Sequence, residues 1–259
     1  MIWSYSRLSA FEQCPYSFYL KYIIADDNEY LAEGNYWAEL GSFIHEILEM
    51  VFTGKLSLDD AAAYFIDHYD ENVFYQASES IMQKGYEECL AFLSDANFDC
   101  LANYEILGVE KEISLKISGH EFVGYIDLLL RNRESGEIII IDHKSSAYPL
   151  SSKTGRPLKA HESNFNSYKK QMYLYCHAIK QLYGIFPVAI VWNHFKAQKI
   201  VRIPFNEKEY QQTLKWFRTT IKAIQKEESF PESIDYFYCT HLCDFRNSCE
   251  YRRYTSKTE

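Results

Sequence analysis

A strongly apolar run near the middle of the chain, IIIIDHK over residues 138–144, ends in Asp142, His143 and Lys144. Side chains two apart on a strand point to the same side, so Asp142 and Lys144 share one face at the strand's end. Upstream, GYIDLLL over 124–130 places Asp127 inside an otherwise apolar strand. A carboxylate there is costly to bury unless it is paired or binds a cation. If the two strands are antiparallel neighbours, the carboxylates meet. Two acids and one ammonium suit hydrolysis of a phosphodiester: the acids hold a divalent cation that polarises the phosphate and acidifies a water. The ammonium orients that water or offsets charge developing on the phosphoryl oxygens. An Asp-x-Lys alone is most often a solvated strand end, and it is Asp127 in its apolar strand that raises its weight.

Three further groups of residues have types that chemistry can use. GSFIHEILEMVF puts His45 on a helix, four residues after Gly41. In KKQMYLYCHAIKQLYG, Gln171 and Tyr175 lie four apart and project from one helical face. Cys239, Cys243 and Cys249 crowd into eleven residues of the tail, a density that reads as a metal or cluster site in a chain without disulfides. Three thiolates leave one position open, and Cys14, before Pro15, is the natural fourth. Spacing alone leaves zinc and an iron–sulfur cluster both open, with His241 as a competing ligand. Cys89, Cys100 and Cys176 fall in helical or apolar settings and are expected to be small core residues.

In this order the pieces resemble the RecB/Cas4-like branch of the PD-(D/E)xK nucleases, whose pattern runs G-x-x-x-H, G-x-(I/V)-D, (I/V)-D-x-K and Q-x-x-x-Y. Gly41–His45, Gly124–Asp127, Ile141–Lys144 and Gln171–Tyr175 match it. The resemblance implies that His45, Asp127, Asp142 and the backbone carbonyl of His143 ligate Mg²⁺ or Mn²⁺. It makes Lys144 the catalytic lysine and gives Gln171 and Tyr175 substrate-positioning roles, with Glu110 or Glu112 in support. Cas4 and AddB-like members carry one early cysteine and three late ones around a [4Fe–4S] cluster, which implies that role for Cys14, Cys239, Cys243 and Cys249. One departure stands out. The first two tail cysteines are spaced C-x3-C here, whereas the family commonly has C-x2-C.

The elements that must carry these residues follow from periodicity and punctuation. Apolar residues from Ser4 to Ile24 recur at helical spacing, with Cys14-Pro15 as a kink or boundary. Helices are predicted over about 37–52 and in segments from 58 to 93. Residues 105–117, 121–131 and 137–143 read as strands, 145–163 as a polar loop, 165–183 as a helix, 187–195 and 199–204 as strands, and 206–228 as a helix. That order predicts an α/β (α+β) fold: a central mixed sheet flanked by helices, with a helical N-terminal part (1–100), a nuclease core (101–229) and a cysteine-rich tail (230–259), all in one domain.

The bulk properties narrow the function. At 259 residues the chain can bury a sizeable core. Its net charge of −9 argues against coating nucleic acid nonspecifically, since phosphates are met by Lys and Arg. Local basic residues remain for DNA: Lys153, Arg156 and Lys159 in the polar loop, Lys169 and Lys170 on the next helix, and Arg252 and Arg253 at the end. No apolar run reaches 18 residues and the start lacks the layout of a signal peptide, so a cytoplasmic protein without a membrane span is expected. GxxxxGK[ST] is absent, so the chain has no P-loop motor. The expected activity is a metal-dependent DNA nuclease, foremost a single-stranded exonuclease in recombination, repair or processing. The rivals are a structure-specific endonuclease and a cluster-bearing DNA-binding adaptor. Relatives work beside helicases, recombinases or CRISPR adaptation proteins, which are the partner classes implied.

Overall fold

The computed structural model describes residues 1–24 and 32–251. Ser4 caps the first helix, its side chain accepting from the Arg7 N–H at 3.2 Å. That helix, α1 (Tyr5–Gln13), is followed at once by α2 (Pro15–Tyr22). Cys14 is the hinge between them, extended at φ −159°, and Pro15 opens α2 where its missing N–H costs nothing. The chain then forms α3 (Tyr36–Phe52), α4 (Ala61–Asn72) and α5 (Glu79–Asp95). The break between α4 and α5 is held by Glu39, whose carboxylate accepts from the N–H groups of Phe74 (2.8 Å) and Tyr75 (2.7 Å).

Five strands make one mixed sheet in the order β1 (Tyr104–Ile117), β2 (His120–Asn132), β3 (Ile138–Lys144), β4 (Ala189–His194), β5 (Lys199–Pro204). All neighbours are antiparallel except β3 and β4, which are parallel and joined through α6 (Glu162–Tyr183). A parallel connection needs such a crossover. The four isoleucines of β3 read as a continuous apolar run because both faces of this central strand are covered. Ile138 and Ile140 lie in a core with Met172, Ile179 and Trp192, closed by Phe217 and Ile221 of α7 (Glu207–Lys226). Ile139 and Ile141 face the other way, with Leu128, Leu130 and Val191. A separate core holds α3, α4 and α5 together through Leu40, Ile44, Phe65, Cys89 and Phe92.

The sheet-and-helix class and order match the expectation. Cys89 and Cys176 are fully buried as expected, but Cys100 is exposed, at a 3-10 turn between α5 and β1 rather than in a core. Among the described residues no helix is long and apolar enough to cross a membrane.

Candidate metal and catalytic centre

The β2–β3 register pairs Leu128 with Ile141, and one further step sets Asp127 opposite Asp142. The two carboxylates therefore do meet across adjacent antiparallel strands. Asp127 Oδ2 accepts from the His143 N–H at 2.7 Å, which ties it to the end of β3. Asp142 is buried, and Lys144 Nζ lies 2.8 Å from its Oδ2. Burial works against charge on Lys144, but Asp142 outweighs it and holds the ammonium above the ordinary lysine range. Burial and the neighbouring Asp142 raise Asp127 to about 7.

His45 comes from α3 and completes the group. Its Nε2 lies 3.0 Å from the His143 carbonyl, and its Nδ1 lies 3.3 Å from Glu110 Oε1 and 3.6 Å from Asp127 Oδ2. Both ring nitrogens thus face acceptors. Burial lowers its basicity, but Glu110, Asp127 and Asp142 together raise it. His143 itself is turned to the other face of the sheet, next to Asn193 at 3.1 Å, and burial drives its side chain down to about 3. That ring stays neutral, and only its backbone belongs to the centre.

On the far side, Gln171 Oε1 accepts from Lys144 at 3.2 Å while its Nε2 donates to the Tyr175 hydroxyl at 3.1 Å. The i, i+4 pair on α6 therefore reaches the lysine as one hydrogen-bonded chain. Gly124 makes room for it, since a Cβ there would sit 2.7 Å from the Tyr175 ring. Gly41 has no such steric reason: a Cβ there would be in ordinary contact with the Ser145 side chain, Oγ at 3.5 Å and Cβ at 3.9 Å.

Sequence reasoning missed Tyr168, whose ring lies 4.8 Å from Lys144 Nζ. It stands three residues before Gln171 and so on the same helical face, which was a usable signal. Of Glu110 and Glu112, Glu110 is at the centre, whereas Glu112 accepts from the exposed Tyr125 hydroxyl. The basic residues divide. Lys153, Arg156 and Lys159 are exposed in the loop after β3. Lys169 and Lys170 are instead paired with Glu209 (2.6 Å) and Glu12 (3.0 Å), so neither offers a free ammonium for phosphate. Arg252 and Arg253 lie outside the described residues.

The cysteines form a second group. Cys14, Cys239, Cys243 and Cys249 line one cavity beside α2 with Ser17, Leu20 and Phe245. Cys14 Sγ accepts from the N–H groups of Ser17 and Ser233, each at 3.4 Å. Cys239 lies in a wide π turn over Tyr238–Leu242, which Cys243 caps, its N–H donating to the Tyr238 carbonyl at 2.8 Å. The C-x3-C spacing thus spans one such wide turn. His241 is exposed and packs on Phe237 rather than lining the cavity.

A mixed sheet whose central strands present two facing acids and a lysine, between a helix carrying His and a helix carrying Gln-x-x-x-Tyr, defines a nuclease fold. The family model described as the PD-(D/E)XK nuclease superfamily matches residues 2–250, and the chain belongs to that superfamily. Among solved structures, one similar chain is a "putative exonuclease" from Eubacterium rectale, with TM-score 0.52 and 13% identity over 100% of this chain and 89% of that one. A second, SSO0001, has TM-score 0.32 and 18% identity over 91% and 95% of the two chains, too low a likeness to argue from. No curated protein matches.

Proposed function

We propose that the chain is a divalent-metal-dependent deoxyribonuclease that trims single-stranded DNA from an end. The observation that carries this reading is the gathering of His45, Glu110, Asp127 and the His143 carbonyl at the end of β3, where Asp142 stands opposite Asp127 and pairs with Lys144. Oxygen donors with one imidazole suit Mg²⁺ or Mn²⁺, the nitrogen making Mn²⁺ the easier fit. Such a cation supplies Lewis-acid polarisation of a phosphoryl oxygen and a more acidic water. The chain's own residues do the rest. Lys144, kept charged by Asp142 and steadied by Gln171 and Tyr175, offsets negative charge on the phosphoryl oxygens. The exposed Lys153, Arg156 and Lys159 contact the strand's phosphates and set its register over the centre.

The cysteine cavity is proposed to hold a [4Fe–4S] cluster. All four thiols line one cavity, as the ligands of a single cuboidal cluster must. Two backbone N–H groups on Cys14 suit a bridging, electron-rich cluster.

Cleavage of end-labelled linear single strands and covalently closed circles of the same sequence, with Mn²⁺, tests the activity. Progressive loss of the linear strand with intact circles is expected. Circles cut as fast as linear DNA would give the endonuclease reading its place, and binding without cleavage of either would leave the adaptor reading.

A further inference from the structure

Resting on that nuclease reading, we propose that His194 is a positioning residue: it seats the basic segment after β3 so that its cations meet the phosphates of a single strand. That segment is built as an arm. Leu150 bridges to Pro157, and the N–H groups of Ser151 and Leu158 donate to the Arg156 and Pro149 carbonyls at 2.9 and 2.8 Å. Gly155, left-handed at φ +64°, turns the tip. Lys153 and Arg156 near the tip and Lys159 at the foot are exposed, without a carboxylate partner among the described residues.

The arm stands on one buried ring. His194 is fully buried at the end of β4, in register with Lys144 on β3 and Lys199 on β5. Its Nδ1 lies 3.2 Å from the Ser146 carbonyl, which only accepts, so Nδ1 donates. The Tyr148 ring meets the imidazole at 83° with centroids 5.7 Å apart, and Lys199 Nζ lies over that tyrosine, 5.1 Å from its centroid. His194 Nε2 is buried with no protein partner among the described residues, a cost that an apolar side chain avoids. Packing therefore does not account for a histidine here. The bond to Ser146 does, since that residue, two past Lys144, is where the arm leaves the strand.

His194→Leu and His194→Asn remove the ring alike, but asparagine keeps an amide donor for the Ser146 carbonyl. Three measurements compare them with wild type: amide hydrogen exchange without DNA, salt dependence of single-strand binding in EDTA, and steady-state cleavage with Mn²⁺. In His194→Leu, exchange at Ser151 and Leu158 should quicken about tenfold, the worth of roughly one hydrogen bond. Its plot of log affinity against log salt should flatten by about 2, since each of the three phosphate contacts contributes roughly 0.7. KM should rise about tenfold while kcat falls no more than about twofold. His194→Asn should stay within about threefold of wild type in exchange and KM, and should melt no higher than His194→Leu. Should neither variant fold, Tyr148→Ala loosens the same seat and is held to the same numbers. Wild-type exchange or an unchanged salt slope in His194→Leu, or Leu and Asn variants that behave alike, overturns the seat while the nuclease reading stands. Wild-type protein that neither binds nor cuts single strands overturns both.

Discussion

Asp127 is a carboxyl held near 7 in a buried position, and that makes a signed prediction. An unfolded aspartate ionises near 3.9. A folded value raised above that contributes stability that is full below about pH 4 and is lost as pH rises through about 7. In EDTA, wild-type protein should therefore weaken toward alkaline pH by something on the order of 2 kcal/mol more than Asp127→Asn, whose amide can still accept from His143. Denaturant midpoints from pH 5 to 8.5 read this out, and parallel curves would show that Asp127 is ionised throughout. With metal present the order reverses, since binding releases that proton and affinity should climb to a plateau above pH 7. Asp142→Ala and Lys144→Ala should each lower cleavage at least about a hundredfold while DNA binding persists, because each removes several kcal/mol and ~1.4 kcal/mol is tenfold in rate. Nuclease assays beside gel-shift measurements decide it. At this scale Asp127, Asp142 and Lys144 were legible because strand alternation is a strict period of two. His45 was not legible from its own surroundings, since a histidine on an amphipathic helix is usually structural, and the resemblance alone singled it out. The choice of Glu110 over Glu112 was invisible because a left-handed residue breaks the alternation on which the reading depends.

Between elements, β2 fits closely against α6 at Gly124 and Tyr175. Alanine at 124 would place a methyl 2.7 Å from the ring, an overpacking that costs about 1–3 kcal/mol. It would also push Tyr175 off Gln171, and through it disturb Lys144. We expect Gly124→Ala to lower both the melting temperature and turnover. In a Tyr175→Ala background the same substitution should cost far less stability, a coupling that a double-mutant cycle measures. Additive costs would mean that the glycine is needed for the strand and not for the ring. The boundaries of the strands and most helices were readable because Gly and Pro punctuate them, as with Cys14-Pro15 between α1 and α2. What the sequence hid was the break between α4 and α5. It depends on Glu39, more than thirty residues away, accepting two N–H groups that no local pattern announces.

Across the whole molecule, the tail does more than bring three cysteines to Cys14. Asp244 accepts from the Glu33 N–H through its backbone carbonyl at 2.7 Å, and Arg246 donates to the Gly34 carbonyl at 2.7 Å. Asn35, the next residue, caps α3, the helix that carries His45. Burial and mutual proximity raise the thiols of Cys239, Cys243 and Cys249, so a cation is what would make them thiolates. Cys243→Ser should give colourless protein on anaerobic purification, against a brown wild type with about four irons and four sulfides. Its melting temperature should fall by several degrees, and hydrogen exchange should quicken at the start of α3. Colourless wild-type protein with stoichiometric zinc would end the cluster reading. Sequence spacing suggested the staple, but not that its far end grips the helix that carries His45, because those contacts are to backbone carbonyls. The clasp at Gly34 has a consequence for safety. On the proposed cluster reading, a chain whose cysteines are empty would have a loosely seated His45, so the step that installs iron would double as the step that arms the blade, and oxidative loss of the iron would sheathe it again.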